Sequence, residues 1–81
     1  MTNYTTINRD NHNEVIWLQL ALARLIKHPG AALVHVGTYD PMTTKALEFY
    51  QRLRELPVTG EPDETTLQKI NQELQARGIT L

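Results

Sequence analysis

The 81-residue sequence contains no cysteine and no serine. Without cysteine there is no disulfide framework, no thiolate nucleophile and no cysteine-ligated zinc site. The common serine nucleophile is absent too, and a threonine would need an activating base inside a formed pocket. A chain this short barely encloses one hydrophobic core and leaves no room for a buried catalytic cleft. The composition therefore predicts a small domain that is not an enzyme.

A strong excess of charge is also missing, because eight basic and nine acidic side chains give a formal net charge of −1. Neither nucleic acid nor an anionic membrane is therefore an expected partner. Three helices in so short a chain would suit a helix-turn-helix DNA binder, but the segment after Gly60 is acidic, which is unsuited to reading DNA. Its charged residues are Glu61, Asp63, Glu64, Lys69, Glu73 and Arg77.

Long apolar runs are absent as well. The first 14 residues are polar, without the basic and then apolar segments of a signal peptide, and no run approaches the length of a membrane span. We therefore expect synthesis in the cytoplasm without a recognisable signal peptide. His12, His28 and His35 have spacings that fit no metal signature. The sequence predicts neither a metal site nor a cofactor.

One short phrase occurs twice. Residues 37–43 and 60–66 both read G-x-x-D-x-x-T, and each phrase leads into apolar residues at helical spacing. An Asp just before a helix accepts hydrogen bonds from the free N–H groups of the first turn and suits the positive end of the helix dipole. Asp40 and Asp63 are therefore predicted N-caps. Pro41 fits the first helical position, where an N–H would have no partner.

The apolar spacing predicts three helices. The first runs from a capping box at Asn11 to about Lys27, the second from Pro41 to about Glu55, and the third from Asp63 to Gly78. The core stripe predicted for the first helix is Val15, Leu18, Leu22, Leu25 and Ile26. The broad buried face predicted for the second is Met42, Ala46, Leu47, Phe49, Tyr50 and Leu53.

The rest of the chain is predicted to be irregular. Residues 1–10 form an N-terminal arm, residues 11–81 form a single domain, and residues 31–36 form an extended connector between the first two helices. The first helix carries a second apolar stripe, Ile16, Trp17 and Leu20. Either the arm and the connector cover this stripe, or it is a protein interface.

Three sets of residues follow one another in the same order as in the sequence pattern of a known family. The first set is Val15, Leu18, Gln19 and Leu22; the second is Gly37, Asp40, Thr43, Ala46, Leu47, Tyr50 and Gln51; the third is Leu56 to Gly60 with Asp63, Thr66 and Leu67. This order resembles the peptidoglycan-binding domain found beside bacterial and phage cell-wall hydrolases. The resemblance implies an all-α three-helix bundle, here with a longer extended connector between helices 1 and 2.

One departure concerns the end of the second helix. The family usually has glycine where this chain has Glu55, just before the leucine that closes the helix. Either this helix ends differently, or Glu55 adopts a strained left-handed conformation.

The resemblance also implies a function, which is noncatalytic attachment to bacterial cell-wall peptidoglycan. The domain would target an associated wall hydrolase, phage or secretion component, and would act at the cell wall or in the periplasm. An alternative is a protein–protein interaction adaptor that keeps this fold without glycan binding.

A glycan strand with stem peptides presents hydroxyls, amides and carboxylates, so its site requires an aromatic face, neutral hydrogen-bonding groups and an arginine. The two copies of the repeated phrase are expected to form two turns, which we call the first turn and the second turn. The residues on or next to these turns that supply such groups are Thr38, Tyr39, Gln51, Arg52 and Thr59. For Gln51 a structural role, in which its amide ties down a loop, is an open alternative.

Overall fold

The computed structural model describes residues 4–27 and 36–81, and within these ranges the chain is all-helical. Helix α1 spans His12–Leu25, α2 spans Pro41–Leu53 and α3 spans Glu64–Ala76. The described ranges contain no strand. The predicted three-helix class is confirmed. Residues 31–35 of the predicted connector lie outside the described residues.

All three helices begin with a side-chain cap. The Asn11 side chain accepts a hydrogen bond from the backbone N–H of Glu14. Asp40 and Asp63 each accept from the backbone N–H of the threonine three residues later, at 2.9 Å in both cases. The two copies of the repeated phrase therefore start α2 and α3 with the same geometry.

Helices α2 and α3 also end alike. The N–H of Leu56 donates to the carbonyl of Gln51 at 2.8 Å, and the N–H of Ile79 donates to the carbonyl of Leu74 at 2.9 Å. This six-residue closure, a Schellman motif, requires a left-handed residue just before the donor. Gly78 has φ +67° in α3, and Glu55 has φ +58° in α2. Of the two outcomes left open for Glu55, the left-handed conformation is therefore the one found.

Helix α1 lies at the centre of the bundle and packs against both other helices. The core stripe predicted for α1 is buried in full. From Leu18 onward the stripe joins one hydrophobic core with Ala46, Leu47 and Tyr50 of α2 and with Leu67, Ile70 and Leu74 of α3.

The buried face of α2 is narrower than predicted, and its position is different. Met42 is 42% exposed and Leu53 is 53% exposed, so their predicted burial is wrong. The buried residues follow the spacing i, i+3, i+4, i+7, i+8 and are Thr43, Ala46, Leu47, Tyr50 and Gln51. Polar side chains therefore occupy both ends of the stripe, where they bond to the turns described below.

Candidate binding surface

Two buried glutamines anchor the two turns. The Gln19 side chain of α1 accepts from the N–H of Gly37 through Oε1 at 2.8 Å. Its Nε2 lies 3.0 Å from both the Thr38 carbonyl oxygen and Thr43 Oγ1. The amide of Gln19 therefore fixes the first turn to α1 and to the N-terminal end of α2.

Gln51 of α2 does the same for the second turn. Its Oε1 accepts from the N–H of Gly60 at 2.9 Å and of Thr59 at 3.0 Å. Its Nε2 donates to the Glu61 carbonyl at 3.0 Å and lies 2.9 Å from Thr66 Oγ1. Gln51 is fully buried, and its amide ties down the second turn as the structural alternative describes. Contact of Gln51 with a ligand stays a prediction.

Tyr39 joins the two turns. Its phenol donates to the carbonyl of Gly60, with the two oxygens 3.4 Å apart. The ring packs against the hydrophobic core, and burial raises the pKa of Tyr39, with a smaller opposing effect from Arg9. The guanidinium carbon of Arg9 lies 4.4 Å from the ring centroid, and Arg9 also pairs with Glu61. We call the group formed by Arg9, Tyr39, Gly60 and Glu61 the turn junction.

One face of α2 borders the turn junction. Thr44 and Glu48 lie so close to Gly60 that a Cβ added there would be 3.2 and 3.3 Å from their side-chain carbons. Arg52 follows Glu48 by four residues, so it lies one turn further along the same face and is exposed. This face therefore presents an exposed guanidinium from Arg52 beside the half-buried carboxylate of Glu48.

Thr59 lies in the second turn, where its hydroxyl donates to Asp63 Oδ2 at 2.9 Å. Burial acts to raise the pKa of Asp63, but hydrogen bonds from Thr66 and Thr59 outweigh it and lower the pKa overall. The cap of α3 is therefore held in its charged form by both threonines.

The structure brings part of the predicted ligand set together. Tyr39 contacts the second turn beside Thr59, and the exposed Thr38 precedes Tyr39 in the chain, whereas the exposed Arg52 lies one helical turn beyond Glu48. Sequence reasoning missed Arg9, because an irregular arm has no periodicity that would assign a contact. It also missed the role of Gln19, although Gln19 and Gln51 occupy corresponding positions in the matched phrases and that correspondence was a usable signal.

The second stripe of α1 is partly covered by the arm. Trp17 is 4% exposed, and the Tyr4 ring meets it edge-on with centroids 5.3 Å apart and planes at 72°. Ile16 and Leu20 are half-buried. They border a cavity of about 190 Å³ whose full lining is Tyr4, Asn13, Ile16, Trp17, Leu20 and Leu81. For Ile16 and Leu20 the interface remains a prediction.

An ion pair joins Arg54, the C-cap of α2, to Glu73 of α3. Glu73 accepts from Arg54 Nε at 2.6 Å, from Arg54 Nη2 at 2.7 Å and from the Tyr50 hydroxyl at 2.5 Å. The Arg54 hydrogen bonds hold the pKa of Glu73 below its ordinary value, and burial together with Glu73 raises the pKa of Tyr50. Burial of Tyr50 and the ion pair between Arg54 and Glu73 account for these shifts without catalysis.

The described residues include no group of three side chains that could hold a metal ion. None of the helices in the described ranges is both long and apolar enough to span a membrane.

Comparison with known proteins identifies the class. A family model described as "Putative peptidoglycan binding domain" matches residues 11–70, which is most of the chain. The chain therefore belongs to the peptidoglycan-binding domain family. No curated protein and no solved structure gives a match. The matched range begins at the N-cap of α1 and includes both copies of the repeated phrase, so it covers both turns.

Proposed function

We propose that this chain is a noncatalytic module that attaches to bacterial cell-wall peptidoglycan. It holds an associated wall hydrolase, phage or secretion component at the wall, and it acts at the cell wall or in the periplasm. The observation that supports the proposal is the family match over residues 11–70, a range that contains both turns.

The chemistry of the surface is compatible with this ligand. Around the turn junction, Thr38, Thr59 and Arg52 are exposed. They offer hydroxyls and a guanidinium to a polymer of hydroxyls, amides and carboxylates. A shallow polar contact barely exceeds the entropic cost of association, so a single site binds weakly. Useful retention comes from avidity, when a tethered partner or several copies meet a repeating polymer.

The test is co-sedimentation of the 81-residue chain with purified sacculi. We expect the wild type to sediment and the double variant Thr38→Ala/Arg52→Ala to sediment less. The matched control is Gln72→Ala/Gln75→Ala, which also removes two exposed polar side chains, from α3. Failure of the wild type to sediment would overturn the proposal, and equal losses in both double variants would remove the assignment to this surface.

A second candidate function is a protein-binding adaptor. The observation that favours it is the cavity beside Ile16 and Leu20, which is lined mainly by apolar side chains. An adaptor would bind a protein partner stoichiometrically and would not sediment with sacculi. Ile16→Ala/Leu20→Ala would then abolish partner binding, whereas a wall-binding module would keep its sacculus binding in this variant.

A further inference from the structure

Arg9 brings a cation from the N-terminal arm to the turn junction. Its guanidinium lies over the Tyr39 ring, and its Nη2 pairs with Glu61 Oε2. A second contact fixes the end of the arm, because the N–H of Asn8 donates to Glu14 of α1 at 3.0 Å. The side chain of Arg9 is still 43% exposed, so a ligand can reach it from solvent.

The same contact determines what Tyr39 can offer a ligand. A sugar ring binds an aromatic side chain through an open ring face. The Tyr39 ring packs against the core and has Arg9 over its face, so the exposed group at this position is a guanidinium. A guanidinium selects carboxylates, to which it donates two parallel hydrogen bonds.

We propose that Arg9 is the residue through which the chain recognises a free carboxylate of a peptidoglycan stem peptide, with Glu61 occupying the guanidinium until the ligand displaces it. This inference rests on the proposed function and names the part of the polymer that is bound. The part of the polymer that Arg9 recognises is then the stem peptide and not the glycan strand.

Exchange of Glu61 for a ligand is physically accessible. The side chains of Arg9 and Glu61 are 43% and 58% exposed, and ion pairs between such exposed groups add little to stability. The stacking on Tyr39 does not involve the carboxylate, so it keeps the guanidinium in position when Glu61 leaves. A ligand carboxylate therefore finds a positioned partner and has only a weak internal competitor.

Two variants at this ion pair separate recognition from structure. Arg9→Gln removes the cation, so we expect about threefold to fivefold weaker binding, the upper part of the range for an exposed ion pair. Glu61→Gln removes the competitor, so we expect about twofold tighter binding. If the pair only held the arm in place, both variants would weaken binding, and that result would overturn the inference.

The ligands form a matched set. Nuclear magnetic resonance titrations use a synthetic stem peptide with free carboxylates, the same peptide with every carboxylate amidated, and a wall disaccharide without peptide. We expect the free acid to shift the Arg9 Nε–H resonance and to bind more tightly than the amide. Equal affinity for acid and amide, or a preference for the disaccharide, would overturn the inference.

Sacculus binding distinguishes failure of the Arg9 inference from failure of the proposed function. Wild type that sediments with sacculi while Arg9→Gln sediments equally well would overturn the role of Arg9 and leave wall binding intact. Wild type that does not sediment would overturn both. Urea unfolding of each variant shows whether it is folded, and Arg9→Lys, which keeps the charge without the fork, should recover only part of the lost affinity.

Discussion

Gln19 and Gln51 are structurally equivalent. Each amide oxygen accepts from the N–H of a glycine with positive φ, at 2.8 Å from Gly37 and 2.9 Å from Gly60. Each amide nitrogen lies within 3.0 Å of the Oγ1 of a buried threonine that follows a capping Asp by three residues. The fold therefore uses one unit twice, consisting of a helix, a glutamine, a turn and the start of the next helix.

Replacing Gln51 by leucine should destabilise the domain strongly. The change leaves the N–H of Gly60 and the carbonyl of Glu61 without their Gln51 partner, and Thr66 Oγ1 loses one of its two hydrogen bonds. An unsatisfied buried polar group costs about 1–3 kcal/mol, so we expect a loss of about 2–5 kcal/mol in the free energy of unfolding. Urea denaturation followed by circular dichroism measures it.

Gln72→Ala is the control for this loss, because Gln72 is an exposed glutamine of α3. Its effect should stay within about 0.5 kcal/mol, as for most surface substitutions. If Gln51→Leu were as mild as Gln72→Ala, the buried amide would not be anchoring the second turn.

Replacing Glu55 by glycine should stabilise the domain. A left-handed conformation costs a non-glycine residue roughly 1–2 kcal/mol, and glycine removes this cost while losing more entropy on folding. We expect a net gain of about 1 kcal/mol from thermal and urea unfolding.

Gly78→Ala is the reciprocal test at the corresponding position of α3. An added Cβ there meets no atom within 4 Å, so backbone strain alone acts, and we expect a loss of about 1 kcal/mol. Changes of the same sign in both variants would contradict the equivalence of the two helix ends.

Local features of this fold could be predicted from the sequence. The helix starts at Asn11, Asp40 and Asp63 follow from side chains that act within three residues, so a short phrase contains the necessary information. Glu55 could be placed near a left-handed position only because a related pattern has glycine there. The backbone at that point is dictated by the way α2 closes, and the residue itself disfavours it.

Contacts between distant parts of the chain could not be predicted. An amide beside a core aromatic looks the same whether it binds a ligand or a turn, so the sequence left both roles open for Gln51. Apolar spacing gives the direction of a buried face but not its width, which depends on the neighbouring helices. Met42 and Leu53 were therefore predicted to be buried, although they are 42% and 53% exposed.

Stability should fall in acid through Glu73. The Arg54 hydrogen bonds hold the native pKa of Glu73 below its ordinary value of 4.5. A carboxyl with a depressed native pKa contributes stability that is present above its unfolded pKa and is lost as pH falls through the native pKa. The free energy of unfolding should therefore begin to decrease near pH 4.5 and continue to decrease below it, as measured by urea unfolding at stepped pH.

Glu73→Gln isolates this carboxyl from the others. It keeps the shape of the side chain but removes the charge paired with Arg54, so we expect a loss of about 1.5–3 kcal/mol at pH 7. The loss should shrink as pH falls below 4.5, because the wild type then gives up the same interaction. A loss that does not depend on pH would show that the contact stabilises through packing alone.

Tyr4 should control the environment of Trp17. In the wild type Trp17 is 4% exposed beneath the Tyr4 ring, so its fluorescence emission should be blue-shifted and poorly quenched by iodide. Tyr4→Ala removes the ring and opens the indole to water, which should shift the emission to longer wavelength and increase quenching. The lost aromatic contact and burial should cost about 1–3 kcal/mol of unfolding free energy.

Tyr4→Phe keeps the ring and should preserve the emission. An unchanged emission in Tyr4→Ala would mean that the arm does not cover this stripe in solution. If sedimentation then showed a dimer, a second copy of the chain would cover the second stripe of α1. That result would favour the protein interface over coverage by the arm.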